Sequence, residues 1–138
     1  IAGTMAGVTE VLAGTYALMD QRYAQSRPQF QPAAKVMATV TSCPEPGTAI
    51  VDAGQKAVGI DTGLPVVQDI AGATVVALSA EHGRLQQGEG DSRVALGDKI
   101  WLTPWDIGTC VNLYDYIHAV RDGKLEVVWD VAARGQYR

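Results

Sequence analysis

Two stretches concentrate the side chains able to do chemistry. In Ser79-Ala80-Glu81-His82-Gly83 an imidazole follows a carboxylate at the end of an apolar run. His82 there could ligate a metal or move a proton, with Glu81 tuning its basicity; a strand-end histidine bonded to backbone explains the same residues. The second stretch, from Gly97 to Asp115, sets Asp106, Thr109, Cys110, Asn112 and Asp115 behind Pro104. Oxygen donors of this kind suit a hard divalent cation, and equally the unpaired backbone groups of a tight loop. Cys110, next to Val111, reads more simply as a small core residue than as a nucleophile. His118, between Ile117 and Ala119, reads as a solvent-side strand residue. GxGxxG, the P-loop pattern and the GxSxG elbow are all missing from the sequence, so nucleotide binding and serine hydrolysis have no loop to start from.

The elements that must position these residues are strands. Val36, Ala38 and Val40 alternate with Met37, Thr39 and Thr41, the period-two signature of a half-buried strand. Leu125, Val127, Trp129 and Val131 alternate with Glu126, Val128 and Asp130, and Asp122-Gly123 separates them from Tyr116–Val120, which predicts a hairpin with positive φ at the turn. Thr48–Val51, Ala73–Leu78 and Lys99–Leu102 are further short runs between Gly-, Pro- and Asp-rich connections. A strand is expected near Thr15–Met19, because Gly14, Thr15 and Tyr16 disfavour a helix there. Tyr23–Pro32 reads as a polar loop or lid with two prolines, and Gly88–Ser92 as a second flexible connection. Pro104 is expected to end its strand by removing a ladder donor. The fold class that results is mostly β: one antiparallel barrel or sandwich domain over 1–138, of roughly seven to nine strands.

Composition narrows the partners. At 138 residues with 47% hydrophobic and 19% charged, the chain has the make-up of one globular domain. A net charge of −4 with scattered basic residues argues against nucleic acid. Apolar runs are too short for a membrane helix or a signal-peptide core. Two cysteines, Cys43 and Cys110, make no disulfide framework and lack CxxC spacing, which points to a reducing, cytoplasmic setting. The start at Ile1 suggests a piece of a larger protein.

Five phrases in order carry a resemblance: Thr9–Asp20, Val51–Val58, Ser79–Gly83, Gly97–Asp115 and Trp129–Gly135. Together they resemble the C-terminal portion of the D-threonine aldolase and D-serine dehydratase family, pyridoxal-phosphate enzymes with an alanine-racemase-like barrel followed by a β domain. The resemblance implies cleavage or dehydration of a D-3-hydroxy amino acid, with the cofactor storing carbanion electrons and a divalent ion at the substrate hydroxyl. It implies a barrel segment outside this chain carrying the Schiff-base lysine and phosphate loop, since Lys35, Lys56, Lys99 and Lys124 match no such position. The resemblance places Tyr16 near the cofactor, although a packed strand aromatic explains it as well, and it implies a homodimer acting on a small D-amino acid.

The family's metal pair, a histidine, a spacer, then aspartate or cysteine, falls here on Asp106, Ile107 and Gly108. One oxygen ligand survives and the second is gone. The expectation is therefore a metal held by Asp106 with His82, or loss of the metal, and a divergent β domain used for binding or assembly remains the alternative function.

Overall fold

The computed structural model describes residues 2–88 and 94–136. Among them eight strands form two sheets in which every pairing is antiparallel. The strands are β1 (Val36–Glu45), β2 (Thr48–Val51), β3 (Val66–Val67), β4 (Thr74–Leu78), β5 (Gly83–Gln86), β6 (Lys99–Thr103), β7 (Tyr116–Arg121) and β8 (Lys124–Asp130). Three short helices join them: α1 (Gln21–Ala24), α2 (Gln55–Val58) and α3 (Ile107–Val111).

β1 to β6 make one sheet in the order β3-β6-β1-β2-β5-β4. It curls until its edges β3 and β4 touch, leaving a nearly closed barrel. Closure removes the edge that an open sheet must protect. The interior is filled by small, mostly β-branched side chains, Ala38, Val40, Ala49, Val51, Val67 and Val75, with Leu85, Ile100 and Leu102 as the bulkiest plugs. That choice follows from the small strand number, because a narrow barrel has room for little else. On β1 the expected alternation is borne out: Ala38 and Val40 are buried, and Met37 and Thr41 face water.

β7 and β8 form a separate hairpin. Asp122 (φ 49°) and Gly123 (φ 73°) supply the two positive φ angles of its turn, as the Asp-Gly pair predicts. Pro104 ends β6, also as expected.

The structure corrects three expectations. Thr15–Met19 is no strand: Thr15–Ala17 is a 3₁₀ turn, Met19 turns the chain with φ 54°, and Asp20 starts α1 by accepting from Tyr23 N–H at 2.8 Å. A carboxylate at an N-cap outweighs the strand preference of two residues. The Tyr23–Pro32 loop accordingly begins inside α1. The loop after Pro104 contains α3, because Asp106 caps it. The structure also adds β3 and β5, for which the sequence carries no strand pattern. Val66-Val67 is too short to show a period. Gly83 opens β5 without a side chain because a Cβ there would lie 2.8 Å from the Ala53 carbonyl. Of the expected Gly88–Ser92 connection, all but Gly88 lies outside the described residues.

Candidate functional site

The chemistry-bearing residues gather around α3, where β6 leaves the barrel. Asp106 sits extended at the N-cap. Its Oδ1 accepts from Gly108 N–H at 2.9 Å and Thr109 N–H at 3.2 Å. The remaining early amide, Ile107 N–H, donates to Oδ2 of Asp20 at 3.2 Å. Two carboxylates thus take the first three amides of the helix, where unpaired donors and the helix dipole favour negative charge. Asp20 is only 2% exposed and links the N-terminal segment to α3 by serving both helices. Backbone bonds from Gln21 N–H to Pro104 O (3.1 Å) and Arg22 N–H to Trp105 O (3.2 Å) reinforce that link.

The other side of α3 packs on α2. Cys110 is buried, and its Sγ donates to the Ala57 carbonyl at 3.6 Å. Burial pushes the Cys110 thiol up to about 12, and the Asp106 charge adds to the effect. The Tyr114 hydroxyl donates to the same carbonyl at 2.8 Å; burial first, then Cys110, pushes it up to about 12 as well. Both groups stay protonated at neutral pH. Cys110 is therefore an inert core thiol, in keeping with its sequence reading.

His82 lies elsewhere, exposed in the turn between β4 and β5. Its backbone N–H donates to Ser79 Oγ at 3.1 Å, and its carbonyl accepts from Ser79 N–H at 2.8 Å. Glu81, beside it, pairs with Lys56 at the surface. α2 stands between His82 and Asp106. The start of α2 docks on the turn through Gln55 N–H to Ser79 O (2.8 Å) and Lys56 N–H to Ala80 O (3.1 Å). A Cβ on Gly54 would fall 2.5 Å from the Ser79 carbonyl, so only glycine permits that approach. The end of α2 meets α3 at Ala57 and Gly59.

Beyond α3, the segment after β8 folds back as a clasp. Arg134 pairs with Asp115 and donates from Nε to Asn112 O at 3.2 Å, while Gly135 N–H donates to Asn112 Oδ1 at 2.7 Å. An open cleft of about 330 Å³ lies against it, lined by Gly108, Val111, Asn112 and Arg134 among others. Asp20, Tyr114 and Arg134 were not singled out from the sequence. An Asp ahead of a short helix is a readable capping signal, but the 87-residue reach from Asp20 to Ile107 is not.

Neither group that the resemblance implies fits this chain alone. Lys35, Lys56, Lys99 and Lys124 are all exposed on the surface, so none is set in a cavity that could hold a cofactor ring. Tyr16 is 58% exposed, its ring edge-on to Phe30 at 6.4 Å. Among the described residues no three His, Cys, Asp or Glu side chains form a group able to hold a metal ion. No helix of the described residues is long and apolar enough to cross a membrane.

The family model described as "Putative serine dehydratase domain" matches residues 33–120, from β1 through α3 into β7. A D-threonine aldolase from an Arthrobacter species is 36% identical over 131 residues, covering 92% of this chain and 35% of the aldolase. The crystal structure of a D-threonine aldolase from Filomicrobium marinum superimposes with a TM-score of 0.83 at 36% identity, over 91% of this chain and 36% of that one. A D-threo-3-hydroxyaspartate dehydratase from Delftia sp. HT23 does so with a TM-score of 0.73 at 26% identity, over 91% and 39%. An alanine-racemase-like protein from Idiomarina loihiensis, 20% identical, shares the fold with a TM-score of 0.76. The chain spans about a third of the length of the aldolase relatives it matches. By the matched residues, this chain belongs to the serine dehydratase domain family, whose relatives include aldolases and dehydratases.

Proposed function

We propose that this chain is the C-terminal β domain of a pyridoxal-phosphate-dependent lyase that cleaves or dehydrates a D-3-hydroxy amino acid. The observation that carries the reading is the 36% identity to a D-threonine aldolase across 92% of this chain. The alignment covers 35% of that aldolase, and the reading assigns the cofactor lysine and the phosphate loop to the remaining length. The full-length protein would then be a homodimer acting on a small amino acid. When bound, pyridoxal phosphate supplies an electron sink for the carbanion left at Cα. This chain's part is to present surface to that barrel. Tyr16 and Phe30, exposed and in edge contact, are the aromatic pair the reading turns toward the cofactor. His82, exposed on its turn, is left free to move a proton where the barrel docks.

A second reading, a divergent β domain used for binding or assembly, draws support from Asp106 and Gly108, which stand where the resemblance puts a metal pair. Expression of this chain together with the coding segment that precedes it separates the two. The lyase reading expects a visible absorbance band from bound cofactor and release of an aldehyde or a keto acid from D-threonine or D-3-hydroxyaspartate. A purified protein with neither band nor product would leave only the second.

A further inference from the structure

We infer that the Asp106–Gly108 turn of this chain is built as a helix cap and takes no divalent cation. The inference rests on family membership and on the turn's own geometry, not on the proposed activity. A hard divalent cation wants six or more oxygen ligands, and even magnesium, which keeps several waters, is held through one or two free carboxylates. Here the converging set is spent on the protein itself. Asp106 Oδ1 accepts two amides of α3, and Gly108 brings no side chain at all. Thr109 Oγ1 donates to the Asp106 carbonyl at 3.2 Å. Cys110 Sγ points the other way, to Ala57 O. Asn112 Oδ1 accepts from Gly135 N–H, and Asp115 is paired with Arg134. His82 belongs to the opposite end of α2. Within the Asp106–Gly108 turn itself, the side-chain oxygen left over for a cation is Oδ2 of Asp106.

The bare position and the cap also fit each other. A Cβ added at residue 108 would stand 3.3 Å from Oδ1 of Asp106, tighter than ordinary contact. A ligand side chain at 108 would therefore press on the oxygen that closes the helix. The cap and a chelating pair compete for the same turn, and in this chain the cap occupies it.

Manganese titration of the 138-residue chain, followed by electron paramagnetic resonance and by thermal melting, tests the assignment. No saturable manganese site that depends on Asp106 is expected, and neither manganese nor EDTA should move the Tm. Asp106→Asn keeps a good capping oxygen and should hold the Tm close to that of the unsubstituted chain, whereas Asp106→Ala should lower it by roughly 3–6 °C with or without metal. Manganese binding that Asp106→Asn leaves intact places the ion elsewhere and agrees with the inference. Saturable binding that raises the Tm and disappears in Asp106→Asn would overturn it. A cofactor band in the longer protein bears on the lyase reading alone, so the two stand or fall separately.

Discussion

The barrel and the β7–β8 hairpin are written in the same residues and end in opposite environments. In the barrel, Ala49, Val51, Leu85 and Leu102 have no exposed surface. In the hairpin, Val120, Leu125 and Trp129 are each more than half exposed, and every residue of β8 is open to solvent. Cross-strand register pairs Ile117 with Trp129 and Ala119 with Val127 on one face, while Val120 pairs with Leu125 beyond a register irregularity at Ala119/Val120. The difference lies in what each sheet packs against. A curled six-stranded sheet is its own second layer. A two-stranded ribbon has none and is marginal in isolation; here it is held at its base by Val131 N–H to Asp115 O at 2.8 Å and by the Arg134 clasp. Alternation in a sequence therefore specifies a strand and its register, while burial depends on a layer the pattern does not name.

The largest effect that should separate the two regions comes from truncating the barrel. Leu85→Ala removes a side chain with no exposed surface amid tightly packed neighbours, and should cost about 2–5 kcal/mol in urea denaturation. A loss below about 1 kcal/mol would mean that the barrel interior is looser than its packing implies.

Alkaline pH should act next, on the corner that joins barrel to α3. Cys110 and Tyr114 are raised from ordinary values of 9.0 and 10.0 to about 12 in the folded chain. Above pH 9 the unfolded chain loses these protons while the folded chain keeps them, so stability is fully present below that point and falls as pH rises toward 12. Each displaced proton contributes a slope of at most about 1.4 kcal/mol per pH unit. Tm measured across this range should drop, and Cys110→Ala should flatten the drop. An equal fall in that variant would remove Cys110 from the account.

The same contrast explains what was legible in the sequence. Strands with five or more residues of clean alternation, and the Asp122-Gly123 turn, were readable because period two and positive φ are local properties. The barrel's closure was not, since nothing in Val66-Val67 or Gly83–Gln86 announces its partner. At the candidate site, Asp106 was readable as a residue of consequence, with cation binding and loop capping both open. The structure places its Oδ1 on the amides of α3, and the contribution of Asp20 is invisible from sequence because Ile107 is so distant. Thr15–Met19 misled for a related reason: the residue that decides its conformation, Asp20, acts through a side chain and not through propensity.

The smallest expected effect is the most informative about the hairpin. Trp129 carries the largest side chain on β8, is 53% exposed, and stands opposite Ile117 in the ladder. If the ribbon is only tied on at its base, Trp129→Ala removes little buried surface from this chain. Global stability should then change by less than about 0.5 kcal/mol, as at surface positions generally. Amide exchange within β7 and β8 should quicken, because one cross-strand pair contributes up to about 1 kcal/mol to a ladder with little else supporting it. Exchange in β2 and β5 should be unaffected, since their protection comes from barrel closure. A loss of several kcal/mol, or faster exchange in the barrel strands, would show that the hairpin and barrel unfold as one unit, and the distinction between a self-covering sheet and a tethered ribbon would not hold.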